Sequence, residues 1–270
     1  EAKGAGGMPV FLYDGMFTWL GGADCVEEGM RRGIIDIHAH ILPGVDDGSR
    51  DLKESLEMIR MAAAQGVTGI IATPHGPGRK EPEILLKGMQ ILREEVKRSC
   101  PDVQIALGQE LLYGEELAQE LKSGRALTLA GSRYVLVEFP LAVPYRELER
   151  GMRKVAFSGY QPVLAHMERY ACLREERCLR DLCGSGYWLQ MNYESLCGPW
   201  YRADVRWCRR QVEEGRIQVL GSDMHRADWR PPRIQEALRW LEGHVRPGLL
   251  EAMTWKNPME VIKEAKKYRD

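Results

Sequence analysis

No stretch of this 270-residue chain approaches the ~18 to 20 apolar residues that span a bilayer, so membrane insertion is not expected. The first residues also lack the charged segment and apolar run of a secretory leader. Charge of one sign is not in excess: 38 Lys and Arg face 39 Asp and Glu, a formal net charge of −1. With no long Lys or Arg block, the electrostatic footprint of a nucleic-acid binder is missing. Arginines cluster between Arg206 and Arg246, but acidic residues are interspersed. The seven cysteines (25, 100, 172, 178, 183, 197 and 208) form no CxxC pair, and their odd number argues against a disulfide framework. A reducing cytoplasm is the expected setting.

A cysteine nucleophile for phosphate esters is missing as well. It needs a backbone nest and an arginine six residues on, and only Cys25 and Arg31 have that separation. Glu27 and Glu28 would then lie where the phosphate must sit, and charge repulsion excludes the pair. No internal repeat appears, and low complexity is confined to the glycines of residues 1–33. That aperiodic segment is expected to be an extension outside the fold, with Met30 a candidate natural start, and residues 34–270 the functional domain.

What is present is an alternation of short apolar runs with longer segments of helical period. Strands are expected at Ile34 to His38, Gly69 to Pro74, Val103 to Gly108, Tyr134 to Phe139, Gln161 to His166, Trp188 to Asn192 and Ile217 to Asp223. A helix capped by Ser49 should present Leu52, Leu56, Ile59 and Ala63 on one face and end at Gly66; another should run from about Glu81 to Cys100. Nearly continuous apolar strands are buried on both faces, which favours a closed or nearly closed α/β barrel. A doubly wound open sheet is the alternative.

Five of the six histidines lie in motifs beside these runs: Asp36-Ile-His38-Ala-His40, Thr73-Pro-His75, Ala165-His166-Met-Glu168-Arg169 and Ser222-Asp223-Met-His225. In a parallel barrel the C-terminal strand ends share one mouth, so His38, His40, His75, Glu110, Glu138, His166, Asp223 and His225 should converge there. His38 and His40, two apart on an extended backbone, point to one face and can chelate one ion. Taken alone, that pair fits two structural histidines equally well. Glu110 and Glu138 end apolar strands, where a carboxylate is costly unless paired with arginine or metal-bound. With Asp47, from the turn Pro43-Gly-Val-Asp46-Asp47-Gly48, the donors exceed what one ion needs, implying two or three divalent ions. His244 lies away from any strand end and is read as a surface histidine.

The ordered motifs Asp36-Ile-His-Ala-His-Ile-Leu-Pro-Gly-Val-Asp-Asp-Gly48, Ile71-Ala-Thr-Pro-His75, Gly108-Gln-Glu110, Val137-Glu-Phe-Pro140, His166-Met-Glu-Arg169 and Gly221-Ser-Asp-Met-His225 resemble the PHP (polymerase and histidinol phosphatase) superfamily. More narrowly, the chain is similar to the manganese-dependent protein-tyrosine phosphatases of bacterial capsule and exopolysaccharide operons, over about residues 34 to 260. The resemblance implies a distorted seven-stranded (β/α)7 TIM-like barrel. It implies metal ligation by His38, His40, Asp47, His75, Glu110, Glu138, His166, Asp223 and His225. Arg169 and Arg230 match arginines that bind the substrate phosphate, so they carry the catalytic and substrate-binding roles. Manganese is the implied ion, with iron, zinc or cobalt as alternatives; the implied partner is a phosphotyrosyl protein, the tyrosine-rich tail of a bacterial tyrosine kinase.

Two positions depart from the family pattern. Met167 replaces proline, which frees φ and restores an N–H beside Arg169. Gly76 replaces a histidine, which is expected to loosen the pocket entrance, while Arg79 and Lys80 add two cations there. With no nucleophilic side chain evident, direct hydrolysis without a phosphoenzyme is expected. Hydrolysis of a small ester such as histidinol phosphate, or a metal-binding regulator without turnover, are the competing readings.

Overall fold

The computed structural model describes residues 33–76 and 81–267. Residues 1–32 of the proposed extension, with the Met30 start and the Cys25–Arg31 pair, and Arg79 with Lys80 lie outside the described residues. Within them the strands are β1 (Ile34–Ala39), β2 (Val67–Ala72), β3 (His75–Gly76), β4 (Gln104–Leu107), β5 (Glu110–Leu112), β6 (Tyr134–Glu138), β7 (Gln161–Leu164), β8 (Trp188–Asn192) and β9 (Val219–Gly221). All pairings are parallel, in the orders β1-β2-β4 and β3-β5-β6-β7-β8-β9. Beyond β9 the chain returns to β1: Asp223 N donates to His38 O at 2.8 Å and His40 N to Met224 O at 2.9 Å. The molecule is an α/β fold around a curled parallel sheet.

Two of the strands resume beyond their expected ends, at Pro74 and Gly108, as the short strands β3 and β5. Between β2 and β3 stands Thr73-Pro74, and proline has no N–H for the ladder. Between β4 and β5 stands Gly108-Gln109, where Gly108 N donates to Ala72 O and Gln109 Oε1 accepts from Leu127 N. Glu110 therefore opens β5 instead of ending the preceding strand.

Helix α1 (Leu52–Ala63) is capped by Asp51, whose side chain accepts from Glu54 N, and not by Ser49. Ser49 lies two residues too early to reach that N–H and instead bonds Ser55 Oγ and Asp51 O. The buried face is accordingly turned to Ser55, Met58, Ile59 and Ala62, with Leu52, Leu56 and Ala63 at its margin. Helix α2 (Pro82–Ser99) follows with proline in its first turn.

Strand residues alternate between two apolar clusters. Val135, Val137, Leu164 and Leu220 pack in the larger one with the helices. Ile35, Ile37, Ile71, Ala106, Leu136, Val163 and Val219 form the smaller one, shared with Met259, Val261, Ile262 and Ala265 of the last helix, Asn257–Lys267. That helix is tied down where Tyr134 Oη donates to Glu260 Oε1 at 2.6 Å. The six described cysteines are free.

Candidate metal centre

The end of β1 delivers two imidazoles whose outer nitrogens are already committed. His38 Nδ1 donates to Gln190 Oε1 at 3.0 Å, and His40 Nδ1 donates to Asp46 Oδ2 at 2.8 Å. Across the closure, His225 Nδ1 donates to the Asp223 carbonyl at 3.0 Å. Each ring therefore presents Nε2 to a common interior, the arrangement in which a partner on one nitrogen fixes the tautomer and leaves the other as a ligand. The two inward nitrogens of His38 and His40 are 3.4 Å apart.

Around them gather the remaining expected residues. Three triads hold donor atoms within 4.8 Å of one another: His40, His75 and His225; His38, His40 and Glu110; His75, Glu110 and Glu138. His166 adjoins them, with Nε2 at 2.8 Å from Glu110 and 3.7 Å from Glu138. Its Nδ1 is buried without a partner. Asp223 Oδ1 lies 3.5 Å from His38 and 3.6 Å from His40. Asp47, half exposed, reaches His75 at 3.3 Å and His225 at 3.8 Å. All the expected ligands thus occupy one cluster; Asp47 is the most exposed of them, His75 and Glu138 are partly exposed, and the rest are buried.

So many buried titratable groups perturb one another strongly without a cation. Burial alone would lower His40, but hydrogen bonds to the Asp46 and Glu110 carboxylates push its pKa up to about 10. His75, likewise opposed by burial, is pushed up to about 9 by Glu110 and Glu138. Glu110 is held well below the usual carboxylate range: burial opposes this, and the His38 charge with bonds from His166, His38 and His40 outweighs it. Burial, with the charges of His40 and Arg230, pushes His225 down to about 3. An N/O donor set of this kind, without sulfur, suits manganese, iron, zinc or cobalt. The fixed Nε2 atoms of His38 and His40, with the carboxylates of Glu110 and Glu138 beside them, fit such ions.

Arg169 and Arg230 both reach the cluster through Asp223, and Arg230 also through His225, its Nη1 standing 3.3 Å from Nε2. Arg169 Nη2 donates to Asp223 Oδ2 at 2.6 Å, and Arg230 Nη2 donates to the same oxygen. Backbone strain concentrates here: His166, Asp223 and Arg230 have φ of 32°, 52° and 58°, left-handed values uncommon for residues other than glycine.

Several contributors fall outside the expected ligand set. Asp46 accepts from His40 Nδ1, from His75 N at 3.0 Å and from Gly48 N at 3.0 Å, so it orients ligands while its neighbour Asp47 faces the cluster. On β8, which neither carries nor leads into an expected ligand, Gln190 Oε1 also accepts from His166 N, and its amide donates to Asn192 Oδ1. Asn192 in turn donates to Asp223 Oδ2 at 2.8 Å. Amides are poor ligands, so metal chemistry does not point to this polar relay; its signal in the sequence is the alternation of Gln190 and Asn192 on a buried strand.

The two departures from the family pattern resolve differently. Met167 is fully buried in a short 3₁₀ turn, Met167–Arg169, packed in the larger core. Gly76 is not a loosened entrance: it is buried and paired in β3, and a Cβ there would stand 2.2 Å from Gln109 Nε2. The amide of Gln109 fills the space beside it. His244 is exposed, stacked on Trp240.

The family model for capsular polysaccharide synthesis, CpsB/CapC, matches residues 34–263. Tyrosine-protein phosphatase YwqE of Bacillus subtilis is 35% identical over 213 residues, which cover 77% of this chain and 84% of that protein. A crystal structure from a study of YwqE from Bacillus subtilis and CpsB from Streptococcus pneumoniae, described as unique metal-dependent tyrosine phosphatases, is similar with a TM-score of 0.74 at 33% identity, covering 86% of this chain and 93% of that one. An organophosphorus hydrolase variant from Deinococcus radiodurans shares the fold alone, with a TM-score of 0.51 at 16% identity over 85% of this chain and 93% of that one. The extent of the family match and the identity to YwqE place this chain in the CpsB/CapC family of capsular polysaccharide synthesis.

Proposed function

We propose that this chain is a cytoplasmic, metal-dependent protein-tyrosine phosphatase whose substrate is a phosphotyrosyl protein, the tyrosine-rich tail of a bacterial tyrosine kinase of capsule or exopolysaccharide synthesis. The observation that carries the reading is a cluster of imidazoles with fixed inward Nε2 atoms beside two guanidinium groups converging on one oxygen. His38, His40, Asp47, His75, Glu110, Glu138, His166, Asp223 and His225 would hold two or three divalent ions, manganese first. Residues 34–270 would form the catalytic domain, a distorted (β/α)7 barrel in which β2 with β3 and β4 with β5 each count as one broken strand, and residues 1–33 an extension.

When bound, divalent ions lower the pKa of water from about 15.7 toward 7 and make hydroxide available at neutral pH. The oxygen of water would form a bond to phosphorus as the ester bond breaks, the tyrosyl oxygen departing with the electron pair and taking up, through solvent, the proton that the water gives up. Arg169 and Arg230 would grip the phosphoryl oxygens by charge-assisted bonds and offset the charge that develops there. Asp223 prepares them by holding both guanidinium groups on one acceptor. A tyrosyl leaving group, with a parent pKa of about 10, needs less protonation than an alkoxide, so a dedicated general acid is helpful but dispensable.

Manganese-reconstituted protein should be assayed on a phosphotyrosyl peptide, a phosphoseryl peptide and histidinol phosphate. The proposal predicts that the phosphotyrosyl peptide has the highest kcat/KM. Preference for histidinol phosphate would replace this reading with a small-ester phosphatase, and metal binding without turnover on any ester would replace it with a regulator.

A further inference from the structure

We infer that Trp229 is a specificity residue whose indole packs on the aromatic ring of the phosphotyrosyl side chain; this rests on the phosphatase reading above. Three of the exposed large apolar residues stand close in sequence to the site: Leu112 two residues after Glu110, Leu141 three after Glu138, and Trp229 one before Arg230. Isolated exposed apolar side chains need no explanation, so exposure alone carries nothing. What distinguishes Trp229 is its mounting.

The segment from His225 to Arg230 is closed on itself, with His225 N donating to Arg230 O at 3.1 Å and Arg226 N to Trp229 O at 3.0 Å. Asp228 is tied to Arg50 at 3.2 Å, and Arg230 takes up its left-handed φ of 58° immediately after the indole. The ring itself stands edge-on to His225, with centroids 5.8 Å apart and planes at 87°. The guanidinium carbons of Arg230 and Arg226 lie 5.7 and 5.9 Å from its centroid. Trp229 is thus a large aromatic surface, 51% exposed, held against both a candidate ligand and a candidate phosphate arginine.

A tyrosyl ring is joined to phosphorus through a single oxygen. Once Arg230 holds the phosphoryl group, that ring emerges beside the indole one residue away, where offset or edge-on aromatic packing is favourable. A phosphoseryl side chain has only a methylene there and leaves the indole without a partner. Trp229 therefore adds aryl selectivity that the metal ligands and arginines, which see only the phosphoryl group, do not provide.

The test compares wild type, Trp229→Leu and Trp229→Phe, each metal-loaded and checked for an unchanged melting temperature. The ratio of kcat/KM for phenyl phosphate to that for an alkyl phosphate should fall about threefold to tenfold in Trp229→Leu, the scale of one aromatic pair, and stay near wild type in Trp229→Phe. Calorimetric titration with phenylphosphonate and methylphosphonate should show the same fall in binding ratio without turnover. An unchanged aryl-to-alkyl ratio in Trp229→Leu, whether both substrates suffer or neither does, overturns the inference. A wild type that hydrolyses no phosphotyrosyl peptide yet prefers phenylphosphonate through Trp229 would remove the phosphatase reading and leave this contact standing.

Discussion

At the scale of single residues, the working unit is an imidazole with one nitrogen anchored. Asp46 anchors His40, and removing its charge should loosen the ring that reaches into two of the three donor triads. Loss of such an orienting partner lowers metal affinity about 10- to 100-fold. Asp46→Asn should show that drop in a calorimetric manganese titration, and an unchanged affinity would deny Asp46 the role. The HxH spacing made His38 and His40 legible in the sequence, because a two-residue period on a strand sets direction. Nothing in Asp46-Asp47 told which carboxylate faces the cluster, since that depends on how the turn closes against His40. Gly76 was misread for a similar reason: its neighbour is Gln109, 33 positions on in the sequence and adjacent only after β3 and β5 pair. Gly76→Ala should destabilise the protein by about 1–3 kcal/mol through overpacking, readable in urea unfolding; no loss would mean that Gln109 simply swings aside.

At the scale of elements, β8 supplies no ligand yet organises three. Gln190 accepts from His38 Nδ1 and His166 N, and Asn192 carries the relay to Asp223. Gln190→Leu leaves two buried donors unpaired, at about 1–3 kcal/mol each, and frees the tautomer of His38. We expect a lower unfolding free energy in metal-free protein together with weaker metal binding; stability and affinity both at the wild-type level would show the relay to be redundant. The strands themselves were legible from their apolar runs, and each expected run overlaps an observed strand. The resumption of the chain as β3 and β5 and the shift of the α1 cap from Ser49 to Asp51 were not. Those depend on which backbone groups find partners across the sheet, as Gly108 N does on Ala72 O.

At the scale of the whole molecule, the smaller core joins the strands to the last helix, so the sheet and the C-terminal segment should unfold together. Ile262 is fully buried there, and Ile262→Ala should cost about 2–5 kcal/mol, with a single cooperative transition retained. A separate early transition of the C-terminal segment would contradict that coupling. The pH response follows from the imidazoles. In metal-free protein His40 near 10 and His75 near 9 stand above the ordinary value of about 6.5, so the folded state holds protons that the unfolded state releases. Their stabilisation is full below about pH 6.5 and is lost as pH rises through 9 to 10. The melting temperature of metal-free protein should fall over that window, and a flat or rising profile would contradict the assignment. Metal uptake must displace the same protons, so its affinity should rise as pH rises.

The central claim, phosphotyrosine hydrolysis by a multi-ion centre, is tested most directly by titrating chelator-stripped protein with manganese while measuring phosphate release from a phosphotyrosyl peptide. The account predicts no turnover in the stripped protein and a rise that saturates only after more than one equivalent per chain. Full turnover in protein verified as metal-free would contradict it.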